Sequence, residues 1–156
     1  MRAVVQRVTA ASVVVGDEIV GEIGRGAVIL LGVSKGDGEA DADAIARKVW
    51  ALRMFGGRTP MDRPLAEIGG GVLVVSQFTL CADLGKGNRP SFEPAEAPAR
   101  AEALYERFVA ALVATGLPVA TGRFGADMQV RLVNDGPVTF LLEARGGKIV
   151  SARDRG

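Results

Sequence analysis

The sequence contains no histidine at all. Ser-His-Asp and Cys-His nucleophile systems, imidazole general bases and His-ligated zinc are therefore excluded, because each needs an imidazole. Cysteine is nearly as scarce. Cys81 stands alone, which rules out an intramolecular disulfide or a thiolate cluster and gives no support to an oxidising compartment. No apolar run approaches the ~20 residues that a membrane-spanning helix needs, and residues 1–7 contain no secretory hydrophobic stretch. The cytoplasm is the expected compartment, with no membrane partner. No metal-ligand spacing occurs, and Gly69-Gly70-Gly71 precedes a strand-like run instead of opening a helix, so it makes a poor phosphate loop. No metal or other cofactor is expected.

With 156 residues, 48% of them hydrophobic and 24% charged, the chain fits one ordinary globular domain. Its net charge of +1 is unevenly placed: residues 145–156 carry +3, which leaves −2 on residues 1–144. Residues 1–144 therefore read as the domain and 145–156 as a frayed basic tail. The body lacks the broad basic footprint of a protein that grips a long duplex, although a short RNA segment or a small substrate remains open.

β-Branched runs at 2–8, 11–15, 18–23 and 27–34 are separated by turn residues such as Gly16-Asp17 and Gly24-Arg25-Gly26. Asp41 and Asp43 favour the start of a helix that carries Ile45, Val49 and Leu52 at helical spacing and ends near Phe55-Gly56-Gly57. Residues 72–80 are apolar on both alternating faces, as in a central strand. Pro98 suits the first turn of a longer helix with Leu104, Tyr105, Phe108 and Leu112 on one face and Gly116 as its stop. Three further β runs follow at 118–123, 127–133 and 138–144. The expected fold is α/β, with helices on one side of a mixed sheet and the remaining strands curled over the other.

Three segments could carry chemistry. In Ser76-Gln77-Phe78-Thr79-Leu80, backbone N–H groups with hydroxyl or amide help could bind an oxygen as it gains negative charge in acyl transfer; the alternative is a buried strand whose polar groups satisfy their neighbours. Thr79 is a poor covalent nucleophile because no activating base is visible nearby. Asn134-Asp135-Gly136-Pro137-Val138-Thr139 reads as a plain hairpin turn or, if Gly136–Pro137 is cis, as a rigid hydrogen-bonding jaw. The third group is Arg7, Lys86, Arg89 and Phe92, where guanidinium could meet phosphate and an aromatic face could stack on a base; solvated loop residues are the alternative. Arg7 lies inside a β run, so it either points outward or needs backbone carbonyls around it.

Taken together, Val5-Gln6-Arg7-Val8, Ser76 to Leu80, Arg89-Pro90-Ser91-Phe92, Thr121 to Met128 and Asn134 to Thr139 resemble the D-aminoacyl-tRNA deacylase family in its standard form. The resemblance implies a strand-rich, barrel-like domain of order ββ-(βα)2-βββ, and a homodimer with a cross-subunit active site. It also implies a cis Gly136–Pro137 bond whose main-chain oxygens engage the α-amino group of a D-amino acid in the partner's pocket. By the same resemblance Arg7 secures this dipeptide, and Asn134 joins Gly136, Pro137 and Arg7 in substrate binding. Ser76, Gln77, Phe78 and Thr79 then form the catalytic floor, with oxyanion stabilisation by N–H groups near Gln77 and Phe78. The substrate implied is the 3′ end of D-aminoacyl-tRNA, with glycyl-tRNA as a further candidate and the RNA 2′-OH assisting ester hydrolysis. Met61-Asp62-Arg63-Pro64 departs from the family pattern. The alternatives are a related deacylase acting on L-alanyl-tRNA, a non-catalytic RNA-end-binding module and a structural homo-oligomer.

Overall fold

A computed structural model describes residues 1–155. Its strands are β1 (Arg2–Val15), β2 (Glu18–Ile23), β3 (Gly26–Gly32), β4 (Gly71–Ser76), β5 (Val119–Thr121), β6 (Gln129–Arg145) and β7 (Lys148–Ile149). Helix α1 (Glu39–Ala51) follows β3, and α2 (Pro98–Ala114) follows β4. The order is thus ββ-(βα)2-βββ, as the resemblance implied, although the strands divide differently from the β runs.

Runs 2–8 and 11–15 form one strand because Thr9-Ala10 offers no turn residue. The chain bends there through irregular pairing with β6, between Gln6 and Val8 and again between Val8 and Ala10. Runs 127–133 and 138–144 likewise merge into β6, so residues 134–137 interrupt a strand and do not close a hairpin. The third closing strand is β7, in the basic segment expected to fray, which turns at Gly146-Gly147 and pairs back on Ala144 and Arg145.

The sheet runs β5-β4-β3-β1-β6-β7, with β2 paired to β1. Pairs β3–β4 and β4–β5 are parallel, joined by helical crossovers, whereas β1 lies antiparallel to β2, β3 and β6. The strand expected to be central, β4, therefore lies one place from the edge; β3 and β1 are central. The sheet also curls. A Cβ placed on Gly21 in β2 would stand 2.3 Å from the Thr121 carbonyl oxygen in β5, so only glycine allows the two margins to meet.

Each face of the sheet has its own core. The helices cover Val5, Ile29, Val72 and Val74 with Ile45, Val49, Phe108 and Leu112. The curl encloses Val8, Val13, Val28, Leu73 and Val75 on the other face. Fully burying each such side chain contributes about 1.5–3 kcal/mol. Tyr105 joins the helical core and donates a 3.0 Å hydrogen bond to the Val74 carbonyl. Burial pushes its phenol up to about 12, which keeps the hydroxyl a donor.

Helix α1 departs slightly from expectation, whereas α2 meets it. Helix α1 stops at Ala51, before the expected Phe55-Gly56-Gly57, because Leu52 turns extended and Phe55 pairs with Arg63 across a tight loop. Helix α2 begins at Pro98 and ends before Gly116, whose φ of +86° suits a terminating glycine.

Candidate active site

The segment expected to be the end of a strand changes direction. Strand β4 finishes at Ser76, and Phe78–Cys81 forms a 3-10 turn. Gln77 is not free to bind an oxyanion through its main chain, since its N–H donates to the Leu31 carbonyl at 2.8 Å. Among the described residues, the N–H groups of Phe78 and Thr79, at the head of this turn, have no protein acceptor. The Gln77 amide donates to the Thr79 hydroxyl, which ties the two side chains together.

Ser76, Gln77 and Phe78 line one wall of a cleft of about 510 Å³. The facing wall is Phe124, Gly125, Ala126, Asp127 and Met128, and the cleft is completed by Glu96, just before α2, and by Pro98 and Ala101 in its first turns. Thr79 is exposed just outside the lining residues. Glu96 is occupied at the entry to α2, accepting from the Ala97 N–H at 2.8 Å and pairing with Arg100 at 3.2 Å. Phe78 is 55% exposed at the mouth and meets Phe92 edge-on, with ring centroids 4.9 Å apart. Phe92 is set there by a loop that the reciprocal Asp83–Ser91 backbone pair closes, leaving Lys86 and Arg89 exposed on that loop. The wall at 124–128 escaped residue-by-residue reading because it has almost no chemically distinctive side chain; its only signal was membership of the Thr121 to Met128 motif.

Arg7, Asn134, Gly136 and Pro137 come together elsewhere. The Gly136–Pro137 bond is cis, and both residues are exposed. Arg7 neither points into solvent nor reaches the Lys86–Arg89 loop. Its Nε donates to the Asp135 carbonyl at 3.0 Å and its Nη1 to the Met54 carbonyl at 2.8 Å, while Asp135 Oδ2 lies 3.4 Å from Nε. With only 15% of its side chain exposed, the guanidinium is a brace between two loops.

Asn134 is equally engaged. Its Oδ1 accepts the Val138 N–H at 2.9 Å, and its Nδ2 donates to the Val138 carbonyl at 3.3 Å and to the Thr139 hydroxyl at 3.1 Å. This amide spans the dipeptide from end to end and holds it in shape. Val138 and Met54 are the supporting residues that sequence reading passed over, and neither side chain carries a chemical signal.

The two constellations do not meet within one chain. Ser76 is level with Leu31, Ala3 and Leu142 across the ladder, whereas the dipeptide lies level with Arg7, four residues farther along and three strands over. That separation is roughly 20 Å along the sheet.

The family model described as D-Tyr-tRNA(Tyr) deacylase matches residues 4–143. A D-aminoacyl-tRNA deacylase of Cereibacter sphaeroides strain KD131 is 54% identical over 145 residues, covering 92% of this chain and all of the relative. One from Sorangium cellulosum strain So ce56 is 56% identical over 147 residues, covering 93% of this chain and 98% of the relative. A solved structure titled c-Myc DNA Unwinding Element Binding Protein superposes with a TM-score of 0.87 at 42% identity, covering 94% of this chain and 100% of that one. Another, titled as a structural analysis of a probable eukaryotic D-amino acid tRNA deacylase, gives a TM-score of 0.76 at 20% identity, covers 92% and 98% of the two chains, and supports the fold alone.

Proposed function

Because this chain belongs to the D-Tyr-tRNA(Tyr) deacylase family, we propose that it hydrolyses the ester joining a D-amino acid to the terminal ribose of tRNA, in the cytoplasm. The observation that carries the mechanistic part is the separation of cleft and dipeptide within one protomer. A substrate held by both requires a second copy, so the working unit is a homodimer in which each Gly136-Pro137 reaches its partner's cleft.

In this arrangement the main-chain oxygens of Gly136 and Pro137 accept hydrogen bonds from the substrate ammonium group. A D side chain is directed away from the dipeptide and an L side chain is driven against it, so selectivity comes from rejection. Glycine has no side chain to reject, and its ester is a substrate as well. The floor at Ser76, Gln77, Phe78 and Thr79 orients the ester carbonyl. The N–H groups of Phe78 and Thr79 stabilise the oxygen as it gains charge, in place of the Gln77 N–H. The Thr79 hydroxyl, as distinct from its N–H, serves only to position the Gln77 amide.

Water attacks the carbonyl carbon, the ester C–O bond breaks, and the departing ribose oxygen takes a proton. The neighbouring 2′-OH assists that transfer, so no protein imidazole is needed. The test is a deacylation time course on matched D- and L-tyrosyl-tRNA with chelator present. The D ester is expected to be released at least ~100-fold faster, equivalent to about 2.7 kcal/mol of discrimination. Equal rates would overturn the stereochemical account, and loss of activity in chelator would overturn its independence of metal.

A further inference from the structure

The cations of this protein fall into two populations. Arg107 is clamped by both oxygens of Asp43 at 2.9 Å and by Glu39 at 3.7 Å, Arg100 by Glu96, and Arg123 by Glu18. Residues 47–63 differ, holding Arg47, Lys48, Arg53, Arg58 and Arg63 against the single acid Asp62. Among the described residues only Arg53 of these five has a carboxylate within 4 Å, and it shares Asp62 with the backbone of the same loop.

Three contacts join this stretch to the rest of the site. First, Asp62 accepts the Arg58 N–H at 2.7 Å and the Arg53 guanidinium at 2.6 Å, which folds residues 53–63 into a closed loop with Arg58 and Arg63 exposed. Those two donors hold the Asp62 carboxyl below its ordinary range, so it keeps its charge and the loop its closure. Second, that loop is anchored at the dipeptide, because Arg7 binds the Met54 carbonyl with one nitrogen and the Asp135 carbonyl with another. Third, the carboxy-terminal hairpin docks on α1 through the Gly147 N–H, which donates to Asp41 at 2.8 Å. There Arg47 and Lys48 border a shallow depression with Gly147 and Ile149, and Lys148 is exposed next to it on β7. The hairpin lies beyond residues 4–143, the span of the family match, so its charge belongs to this chain's extension.

We propose that Arg58 and Arg63, with Lys48 and Lys148 farther out, form a track for the phosphates of the tRNA as its 3′ end enters the partner's cleft. The inference rests on the deacylase reading and adds the part of the protein that grips the RNA body. Exposed cations without a carboxylate within 4 Å suit a repeating phosphate backbone, which they bind by displacing its counterions; Arg63 gives only its Nε to the Gly56 carbonyl, at 3.1 Å, and presents its terminal nitrogens outward. The large apolar side chains exposed around them are only Trp50, 46%, and Met61, 44%. That is too little to seat a lipid surface by insertion.

The experiment compares wild type, Lys48→Glu/Lys148→Glu and Arg58→Gln on two substrates: full-length D-tyrosyl-tRNA and the D-tyrosyl ester of a CCA trinucleotide. Arg107→Gln serves as a control for a paired cation. For the double variant, KM on the full-length substrate is expected to rise about tenfold at ~0.1 M salt, and the slope of log Kd against log salt to become shallower by about two. Arg58→Gln is expected to lose about one unit of slope. In both, kcat on tRNA and cleavage of the trinucleotide ester stay at wild-type values, as does the control.

Unchanged KM and salt slope would overturn the proposal, as would an equal loss on the trinucleotide. So would lost binding to phosphatidylserine vesicles with tRNA binding intact. Failure of wild type to cleave either ester would instead overturn the deacylase reading itself.

Discussion

Replacing Gly136 with alanine is expected to lower kcat/KM on D-tyrosyl-tRNA by at least ~100-fold while the chain still folds. Gly136 has φ of +138°, a conformation that side chains rarely adopt, at a strain of about 1–3 kcal/mol. Space is equally restrictive. A Cβ there would stand 2.7 Å from Val138 Cγ2, 2.9 Å from the Val138 nitrogen and 3.3 Å from an Arg7 nitrogen. None of the three yields easily: Val138 is buried, its N–H is committed to Asn134, and Arg7 is held by two carbonyls. The dipeptide must therefore move, by about an ångström, which is enough to misplace the main-chain oxygens proposed to receive the substrate ammonium. Gly136 and its neighbours Pro137 and Val138 belong to neither hydrophobic core, so the melting transition should remain cooperative. Steady-state kinetics beside a thermal melt give the check; activity within about threefold of wild type would contradict the role of the dipeptide.

Arg7→Ala is expected to have a comparable effect on rate and a larger one on stability. The substitution leaves the Asp135 and Met54 carbonyls without their donors in a partly buried junction, at about 1–3 kcal/mol each. It also uncouples the dipeptide from the 53–63 loop. Arg7→Lys separates the two consequences, because one ammonium keeps a positive charge beside Asp135 but lacks the planar fork that spans two carbonyls. Lysine should recover part of the stability and little of the rate. Full recovery of kcat/KM by lysine would show that charge alone, and not the two-point brace, is what the site requires.

Hydrophobic pattern announced most of the fold. The β-branched runs, Pro98 at the head of α2 and Gly116 after it were readable because each acts through local chemistry. Errors arose where tertiary pairing overruled local signals. Thr9-Ala10 and Asn134 to Pro137 both read as breaks between strands, yet β1 and β6 continue through them because each has the other to bond with along its length. Residues 77–80 read as strand from their apolar alternation. The chain instead coils there, since the parallel neighbour β3 ends at Gly32 and no ladder remains beyond the Gln77–Leu31 bond.

At the site, sequence identified the residue types but not their assignments. Arg7 was legible as a cation needing acceptors, whereas Met54, which supplies one, contributes only a carbonyl and so leaves no trace in a side-chain reading. The family resemblance implies a substrate-binding role for Asn134, and the structure engages both ends of its amide with the dipeptide's own flanks. The wall of the cleft at Phe124 to Met128 depends on a loop folding back over β4, a long-range placement that periodicity does not encode.

The proposed function requires each reaction centre to draw on two chains, and mixing inactive subunits decides whether it does. One partner carries Gly136→Ala. The other carries Ala126→Trp, which fills the cleft. Each is expected to be nearly inactive by itself. When the two are unfolded together and refolded, random pairing makes about half of the dimers mixed, and in each of these one site joins an intact cleft to an intact dipeptide. Activity should return to about a quarter of the wild-type value per chain. If every protomer used its own dipeptide, each site in the mixture would keep a lesion, and refolding together would restore nothing.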